Sequence, residues 1–343
     1  MKVCQIMAGD EEGGLENHFV ELCNGLVDRV DELVVIAHQK YRGRFRSEIR
    51  FLPLDLSGMR RNPWLLYRLA TLIRKEGPDI IHAQASKAVD MLARIRGFVP
   101  GYRIGTLHGR KKNLEMYARM HTVIGVSQGV VEALTHPDVR VVYNGIRPYS
   151  GELYDRTQLA ETFGLKPDLN VTLAVGRLAP VKAFDNLIKA WDPSLGYLLI
   201  VGDGPEHGSL KALIEARRLE GNVFLAGFRD DVRALMSAAD LLVFSSHREG
   251  FSYVLAESLL SRLPVLSTAV PGAMEVLPPD YLVALNDVPA LRQALERVLA
   301  APESARRDLS AAFDWAREAL TIECMLADTL AIYNDVIQNR KSA

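Results

Sequence analysis

The stretch LLVFSSHREGFSYVLAESLLSRLPVLSTAV, residues 241–270, decides the fold class of this chain. It opens with the apolar run LLVFSS (241–246), passes through a helix-like segment and closes with a second apolar run, PVLSTAV (264–270). This succession indicates two buried parallel strands that are joined by a helix. Two glutamates, Glu249 and Glu257, stand eight positions apart after the first strand, where the carboxyl end of a parallel sheet is expected.

The same alternation of apolar runs and helical patterns fills the rest of the chain. In the first half the predicted strands are VCQIM (3–7), LVVIA (33–37), IRFLPL (49–54), DIIHAQ (79–84), RIGTLH (103–108), TVIGVS (122–127) and VRVVYN (139–144). In the second half they are NVTLAVGRL (170–178), YLLIVGDGP (197–205), NVFLAGF (222–228), DLLVFSS (240–246), PVLSTAV (264–270) and YLVAL (281–285). Each half therefore has the strands of one doubly wound domain with helices on both faces of a parallel sheet.

The chain length of 343 residues suits two such domains. We expect an N-terminal Rossmann-like domain over 1–150, a C-terminal Rossmann-like domain over 151–320, and a helix over 321–343 that returns to the first domain. Gly, Pro and polar residues in 144–170 are typical of a linker. Ligands bind outside the carboxyl ends of open parallel sheets, so a cleft between the two domains is the predicted site.

Composition excludes several classes of protein. With 48% apolar and 24% charged residues the chain reads as globular, and no apolar run approaches the length of a transmembrane helix. The N-terminus has too few apolar residues for a signal peptide. Three cysteines without CxxC spacing favour neither a disulfide framework nor a zinc site, so a cytoplasmic location is predicted.

The net charge of −1 is unevenly distributed along the chain. Residues 1–150 hold 22 Lys and Arg against 16 Asp and Glu, a balance of +6, and the remainder has a balance of −7. Basic and aromatic residues mix in KYRGRFRSEIR (40–50), RRNPWLLYR (60–68) and GRKKN (109–113). Such segments are typical of a surface that rests on anionic lipid headgroups, although solvated side chains on a polar face would have the same composition. No nucleic-acid recognition motif accompanies the charge.

Two strand-to-helix loops have the composition of anion sites. The first, GDEEGGLENHF (9–19), lacks both the GxGxxG and the GxxxxGK[ST] pattern, but Gly13 and Gly14 stand directly before a helix whose first N–H groups favour an anion. In the second, VGRLAPVKAF (175–184), Arg177 and Lys182 could clamp one diphosphate. An ordinary turn remains the alternative for the first loop.

Two further loops and the glutamate pair extend this prediction. Gly204 closes a tight turn in VGDGP, and the backbone at Phe228 and Arg229 in AGFRDD could pair with the edge of a nucleobase. Carboxylates accept two hydrogen bonds from a vicinal diol, so Glu249 and Glu257 would suit one hydroxyl pair each. A metal pair is the competing interpretation, but no ligand set has the required spacing, and no metal or other cofactor is expected.

Taken in order, these motifs resemble the GT-B glycosyltransferases of family 4, in the retaining branch that assembles lipopolysaccharide core and related glycolipids. The motifs are GGLE, VGRLxxxK, VGDGP, AGF and EGFSYVLAES…LPVLST, and they are densest across 170–275. The resemblance implies two Rossmann-like domains that face each other across a cleft. The sequence departs from the family pattern at three places. Ala183 and Arg262 replace glycines that are usual in the family, and PGAMEVL (271–277), with Glu275 in register, replaces the usual Gly-Gly version.

Site roles follow from the resemblance. It implies that Gly14 lies near the donor diphosphate, that Arg177 and Lys182 neutralise it, and that Glu249 contacts the donor hexose. It also implies that Glu257 binds the ribose and that His108, in GTLHGR, faces the sugar and the acceptor. A structural role at the end of a strand is the alternative for His108.

The predicted activity is metal-independent, retaining transfer of a hexose from a nucleoside-diphosphate sugar to a glycolipid hydroxyl at the inner face of the cytoplasmic membrane. UDP-glucose and UDP-N-acetylglucosamine are the first expected donors, followed by GDP-mannose. Two alternatives share the architecture. One is a nucleotide-sugar 2-epimerase, and the other is a non-catalytic nucleotide-sugar-binding partner of a second transferase.

Overall fold

The computed structural model describes residues 1–10 and 13–342, with side chains through residue 339. Glu11 and Glu12, which belong to the predicted anion loop, and Ala343, the end of the predicted terminal helix, lie outside the described residues. The chain divides into two compact units. Unit 1 comprises Met1–Gly145 and the chain from Thr321 onward, and unit 2 comprises Ile146–Leu320.

Unit 1 is built on a parallel sheet whose seven strands, counted over its described residues, have the order β3-β2-β1-β4-β5-β6-β7. The strands are β1 (Lys2–Met7), β2 (Glu32–Ala37), β3 (Arg50–Pro53), β4 (Ile80–Gln84), β5 (Tyr102–Leu107), β6 (Thr122–Gly125) and β7 (Val139–Val141). The helices before the linker are α1 (Gly14–Leu26), α2 (Pro63–Glu76), α3 (Ala85–Ile95) and α4 (Gln128–Val131). Cys4 of β1 pairs with Val34 on one side and Ile81 on the other, so the chain changes direction across the sheet between β1 and β4.

Unit 2 repeats this design with six strands in the order β10-β9-β8-β11-β12-β13, again counted over the part that the structure describes. The strands are β8 (Val171–Val175), β9 (Tyr197–Val201), β10 (Val223–Gly227), β11 (Leu241–Phe244), β12 (Val265–Thr268) and β13 (Leu282–Val283). The helices are α5 (Arg156–Phe163), α6 (Phe184–Ala190), α7 (His207–Ala216), α8 (Val232–Ala238), α9 (Tyr253–Leu260), α10 (Pro271–Met274), α11 (Val288–Leu299), α12 (Pro302–Asp308) and α13 (Ser310–Ala319). Strands β8 and β11 are neighbours at its switch point, and all paired strands are parallel.

The two predicted doubly wound sheets are thus confirmed, and every predicted strand is present. Several strands end earlier than the apolar runs do. The predicted strand 170–178, for example, stops at Val175, because Gly176 has a φ of 155° that turns the chain into a loop. Gly202, the first residue after β9, has a φ of 140°, so a glycine ends each of these two strands at the carboxyl edge of the sheet.

The last helix, α14 (Ile322–Ser342), packs against α1 of unit 1, which confirms the predicted return of the terminal helix. Its apolar face joins the core beneath the sheet through Met325, Leu326 and Tyr333, which are all buried. No helix in the described ranges is both long and apolar enough to cross a lipid bilayer.

The docking of α14 depends on close approach of its first turn to Gly145. A Cβ atom at Gly145 would lie 2.6 Å from the Thr321 carbonyl oxygen and 2.7 Å from the Ile322 Cα. Both atoms belong to the backbone, so they cannot move aside as the end of a side chain can. The site therefore admits glycine alone.

We expect Gly145→Ala to lower the free energy of unfolding by about 1–3 kcal/mol, the usual range for overpacking a well-filled site. Urea unfolding followed by circular dichroism measures the change. The matched control is Gly97→Ala, since a Cβ there meets no atom within 4 Å. An unchanged midpoint for Gly145→Ala would show that this contact does not constrain the docking of α14.

Candidate active site

The loops that leave β8, β9 and β10 are stacked on one another at the carboxyl edge of the unit 2 sheet. The Leu178 N–H donates to the Asp203 carbonyl (2.9 Å), and the Gly202 N–H donates to the Gly227 carbonyl (2.8 Å). A Cβ at Gly204 would lie 2.4 Å from the Leu178 carbonyl oxygen. Gly204 was predicted as a donor-binding residue, and its absence of a side chain is required by this packing between loops.

The loop after β8 carries the two predicted cations. Arg177 is exposed, and Lys182 is half-buried at the end of a short 3-10 turn, Pro180–Lys182. The next residue, Ala183, has a φ of 49°, in the left-handed region that favours glycine. Arg262 has a φ of 54°. Ala183 and Arg262, where the resemblance leads us to expect glycine, therefore keep the backbone conformation that glycine adopts most easily.

Lys182 and Glu249 form an ion pair between the loops of β8 and β11. The Lys182 Nζ donates to the Glu249 Oε2 at 2.5 Å, and both side chains are about four-fifths buried. Gly176 leaves room for this lysine, because a Cβ there would lie 3.0 Å from the Lys182 Cε. The pair places an ammonium and a carboxylate together at the switch point of the sheet, where ligands of such folds bind.

Two hydrogen bonds hold the two loops together around the ion pair, and a third contact lies within the loop of β11. The His247 N–H donates to the Val181 carbonyl (2.8 Å), and the Ser245 hydroxyl donates to the Lys182 carbonyl (2.8 Å). The Ser246 hydroxyl lies 3.5 Å from the Glu249 Oε2. His247 itself is exposed, so its backbone rather than its ring contributes to this arrangement.

The second glutamate of the opening stretch lies on the helix that follows. Helix α9 is capped by Ser252, whose hydroxyl accepts from the Leu255 N–H, and Glu257 is half-buried in its second turn. Helix α10 begins against the same loop, since a Cβ at Gly272 would lie 2.2 Å from the Gly250 carbonyl oxygen. Glu249 and Glu257 thus stand on either side of the start of α9, as their spacing predicted.

The residues after β10 have different surroundings. Phe228 is 82% exposed, whereas the Arg229 guanidinium is bound to Asp231 at 2.5 and 2.7 Å and lies 5.1 Å from the centre of the Phe163 ring. The hydrogen bond from Arg229 holds the pKa of the Asp231 carboxyl below its ordinary value. The Arg229 side chain is therefore engaged within unit 2, and the predicted role at this position concerns its backbone.

In unit 1, helix α1 begins at Gly14 with Gly13 as its N-terminal cap residue. The buried side chain of Glu16 folds back over the loop, because a Cβ at Gly9 would lie 2.8 Å from its Oε1. Gly9 at this turn therefore leaves room for a carboxylate of the helix that follows.

His108 follows the end of β5 and is half-buried. Its Nε2 lies 2.9 Å from the Gln84 Oε1, and the His18 ring meets its ring edge-on with centres 4.8 Å apart. Burial, together with the nearby His18, His82 and Lys111, lowers the pKa of His108 well below its ordinary value. The imidazole is therefore neutral at neutral pH and retains one acceptor nitrogen.

The structure thus brings Arg177, Lys182, Gly204 and Glu249 to the carboxyl edge of one sheet, with Glu257 on the adjoining helix. It places Gly13, Gly14 and His108 at the carboxyl edge of the other sheet. Their roles toward ligands stay predictions. Sequence reasoning missed Gln5, His82, Gln84 and Tyr333, which contact one another behind His108. A signal was present, because IIHAQ places His82 and Gln84 inside an otherwise apolar strand.

No group of three or more His, Cys, Asp or Glu side chains within the described residues has the arrangement of a metal site.

Comparison with known proteins places two sequence families along the chain. Residues 12–149 match the Glycosyltransferase Family 4 model, and residues 155–313 match the model for Glycosyl transferases group 1. Among curated proteins, the lipopolysaccharide core biosynthesis glycosyltransferase LpsE of Rhizobium meliloti is 26% identical, over 88% of this chain and 89% of its own length. The N-acetyl-alpha-D-glucosaminyl L-malate synthase of Bacillus anthracis is 25% identical, over 96% of this chain and 92% of its own.

A solved structure shares the fold along the full chain. The crystal structure of Anabaena HepE in complex with UDP and glucose has a TM-score of 0.84 at 20% identity, over 98% of this chain and 100% of that one. The two Rossmann-like sheets and this similarity show the GT-B fold. The two family matches, which together cover most of the sequence, show that the chain belongs to the glycosyltransferases of family 4.

Proposed function

We propose that this glycosyltransferase moves a hexose from a nucleoside-diphosphate sugar to a hydroxyl of a membrane-associated glycolipid, with retention of the anomeric configuration and without a metal ion. The observation that carries the proposal is the half-buried Lys182–Glu249 pair at the switch point of unit 2. The pair supplies a fixed positive charge beside a carboxylate that can accept hydrogen bonds from hydroxyl groups. A nucleotide sugar presents a diphosphate and hydroxyls a few bonds apart, and so matches both.

Stabilisation of the leaving diphosphate is the main task assigned to the cations. An ammonium has three N–H donors, and Glu249 accepts one of those of Lys182, so the others stay available to phosphate oxygens. Arg177, on the same loop and exposed, adds a planar fork of donors. Charges held in place before reaction stabilise the developing negative charge without reorganisation, which is the part that a divalent ion takes in other transferases.

The remaining predicted site residues are assigned to the other parts of the donor, with a second contact to the diphosphate from α1. Glu257 binds the ribose diol, Glu249 binds hydroxyls of the hexose, and the backbone at Phe228 meets the base. The first-turn N–H groups of α1 at Gly14 favour the diphosphate, since the positive end of a 13-residue helix lies there. His108, being neutral, accepts a hydrogen bond from a hydroxyl group of the sugar or the acceptor.

Retention follows from front-face attack, in which the acceptor hydroxyl approaches on the side that the diphosphate leaves. The departing phosphate oxygen takes the hydroxyl proton, and the bond from the anomeric carbon to that oxygen breaks as the new glycosidic bond forms. No separate general base is then needed. Water must be kept away from the anomeric carbon, because hydrolysis competes with transfer.

The donor class draws further support from proteins of the same fold. Anabaena HepE has been crystallised with UDP-glucose, and a Bacillus anthracis relative is named N-acetyl-alpha-D-glucosaminyl L-malate synthase. UDP-glucose and UDP-N-acetylglucosamine are therefore the first donors to test, and GDP-mannose is the next.

The acceptor is proposed to be a glycolipid such as lipopolysaccharide core, reached from the inner face of the cytoplasmic membrane. Two Rhizobium meliloti relatives, LpsE and LpsD, are lipopolysaccharide core glycosyltransferases by name. In unit 1, Met59, Trp64 and Tyr67 are 80%, 63% and 70% exposed at the start of α2, and the Arg68 guanidinium lies 4.7 Å from the centre of the Trp64 ring. Aromatic rings interleaved with arginine suit an interface of anionic headgroups and acyl chains.

The first prediction concerns the donor. At 100 times its dissociation constant, the true nucleotide sugar adds about 2.7 kcal/mol to the free energy of unfolding, and thermal-shift measurements detect this. We expect a UDP-sugar to give the largest shift, in EDTA as well as in magnesium. With that donor and an acceptor, proton NMR of the product should show the anomeric configuration of the donor. Stabilisation that appears only with a divalent ion would contradict metal independence, and an inverted product would contradict retention.

The second prediction concerns Lys182. We expect Lys182→Ala to lower the rate of transfer by about a hundredfold to a thousandfold, the usual effect of removing one preorganised donor to a developing oxyanion. The matched control is Lys189→Ala on α6, which removes an exposed pair with Asp185 worth only a few tenths of a kcal/mol. A radiolabelled-sugar transfer assay compares the two variants. Equal activity of Lys182→Ala and wild type would remove the central charge from the mechanism.

The third prediction concerns the membrane. Co-sedimentation of wild-type protein with phospholipid vesicles should rise with their content of anionic lipid and fall with salt. The double variant Trp64→Ala/Tyr67→Ala should bind several-fold less. Phe98→Ala is the control, because Phe98 is 67% exposed but follows α3 on the opposite edge of the sheet, before β5 begins. Binding that ignores anionic lipid, or an equal loss in the control, would argue against this surface.

A further inference from the structure

Six polar side chains form a connected cluster in unit 1, and the ligand roles proposed above use only one of them. Gln5, His82, Gln84, Thr106 and Tyr333 are each at least 98% buried, and they lead to half-buried His108. A buried polar group without a hydrogen bond costs free energy, so such a cluster persists in a core only if its members satisfy one another. Its last member, Tyr333, belongs to α14 and is more than 220 positions from the others.

The contacts run in one continuous series. The Tyr333 hydroxyl oxygen lies 2.7 Å from the His82 Nδ1 and 2.8 Å from the Gln5 Nε2. The Gln84 Nε2 lies 3.3 Å from the Gln5 Oε1, and the Gln84 Oε1 lies 2.9 Å from the His108 Nε2. The His82 Nε2 lies 2.6 Å from the Thr106 hydroxyl. Two longer contacts branch from the series, since the Gln84 Nε2 lies 3.3 Å from the His82 Nε2 and the Gln5 Nε2 lies 3.4 Å from the His82 Nδ1. Each side-chain amide therefore passes a hydrogen bond from one neighbour to the next.

The direction of the series is fixed once the Tyr333 proton is placed. Tyr333 has one hydroxyl proton and two close neighbours, so it donates to one and accepts from the other. A phenol is a better donor than acceptor, and burial lowers the pKa of His82 to about 3, which leaves that imidazole neutral with a free acceptor nitrogen. Donation from Tyr333 to the His82 Nδ1 then requires the Gln5 Nε2 to donate to Tyr333.

Matching each donor to an acceptor also fixes the orientation of the two side-chain amides. With its Nε2 directed at Tyr333, Gln5 turns its Oε1 to the Gln84 Nε2, and Gln84 in turn presents its Oε1 to His108. An amide oxygen only accepts, so the His108 Nε2 must hold the imidazole proton. The opposite arrangement needs both amides and the tyrosine hydroxyl reversed together. The tautomer of His108 is thus coupled to a hydroxyl on the C-terminal helix.

We propose that Gln84, Gln5 and Tyr333 are positioning residues that hold His108 as its Nε2–H tautomer, so that the Nδ1 lone pair accepts a hydrogen bond from a substrate hydroxyl. The consequence for catalysis rests on the proposed function, whereas the tautomer itself does not. The groups that face the His108 ring are His18 from α1, His82 from β4 and Lys111 from its own loop, and each of them disfavours a protonated imidazole. The His108 imidazole is therefore neutral, and its neighbours can select one of its two tautomers.

Nitrogen-15 NMR of the full-length protein labelled at histidine tests the tautomer without any substrate. In a neutral imidazole the protonated and unprotonated ring nitrogens have widely separated shifts, and His108→Asn identifies the His108 signals. Wild type should show a protonated Nε2 and an unprotonated Nδ1. In Tyr333→Phe the direction of the series is no longer set, so the two His108 shifts should move toward each other as both tautomers populate.

Tyr281→Phe is the matched control. Tyr281 is also a buried tyrosine whose hydroxyl is hydrogen-bonded, to Asp308 at 2.8 Å, but it precedes β13 in unit 2 and has no contact with the series. It should leave the His108 signals unchanged. In the transferase assay, Tyr333→Phe should lower kcat about threefold to tenfold, the range expected for one net hydrogen bond, with KM for the donor nearly constant.

Gln84→Glu provides a second variant, which with Tyr333 in place tests the contact to His108 through the pKa of that imidazole even if Tyr333→Phe folds poorly. A carboxylate accepts from the His108 Nε2–H whatever Tyr333 does, so the tautomer should stay as in wild type and should be restored in the Tyr333→Phe background. The carboxylate also favours the imidazolium, so the pKa of His108 should rise and activity should fall as pH decreases through it. Wild type should show no such loss in that range.

Two results would overturn the inference: a wild-type His108 that is protonated at Nδ1, or a Tyr333→Phe spectrum that matches wild type. Either result would leave the proposed transfer reaction in place. Conversely, failure to find a sugar donor would remove the proposed function and leave the NMR result standing.

Discussion

The close contact of Lys182 with Glu249 is the interaction around which the loops of β8 and β11 are arranged. It requires a missing side chain at Gly176, a 3-10 turn that ends at Lys182, and hydrogen bonds that hold the loops of β8 and β11 together. A partly buried ammonium would be costly alone, so Glu249 both compensates its charge and fixes its position. A diphosphate has more charge than one carboxylate and can share the remaining donors, which is why an occupied ion pair is compatible with an anion site.

The fold could be predicted from the sequence because each strand of a parallel sheet is marked by a short local pattern of residues. Each buried strand is a short apolar run, and the loops after β8 and β9 begin with Gly176 and Gly202, whose φ is positive. Strand ends were overestimated for the same reason, since apolar residues such as Leu178 continue into the loop, where they are buried without pairing as strand. Within the candidate site, spacing alone brought Arg177 and Lys182 to one loop and Glu249 to its neighbour.

Two residues that stand where the resemblance leads us to expect glycine have a glycine-like backbone conformation. Ala183 and Arg262 keep left-handed backbone at a cost of about 1–2 kcal/mol each relative to glycine. Arg262 has some compensation, because its guanidinium pairs with Asp314 at 3.2 Å and lies 5.2 Å from the centre of the Phe313 ring. Ala183 is fully buried, so its methyl group adds apolar contact that a glycine would lack. With this backbone at Ala183, the neighbouring Lys182 lies within hydrogen-bond distance of Glu249.

The contact of Tyr333 with the polar cluster of unit 1 could not have been predicted, and the reason is physical. Tyr333 falls on the apolar face of a terminal helix, where periodicity indicates only that it is buried, and 251 positions separate it from His82. Hydrogen bonds between such distant residues depend on how α14 docks, and this in turn depends on backbone contact at Gly145. The two units consequently present different chemistry at their sheet edges. Unit 2 offers fixed charges that suit phosphate, whereas burial keeps the imidazoles of unit 1 neutral, and a neutral imidazole suits a hydroxyl group.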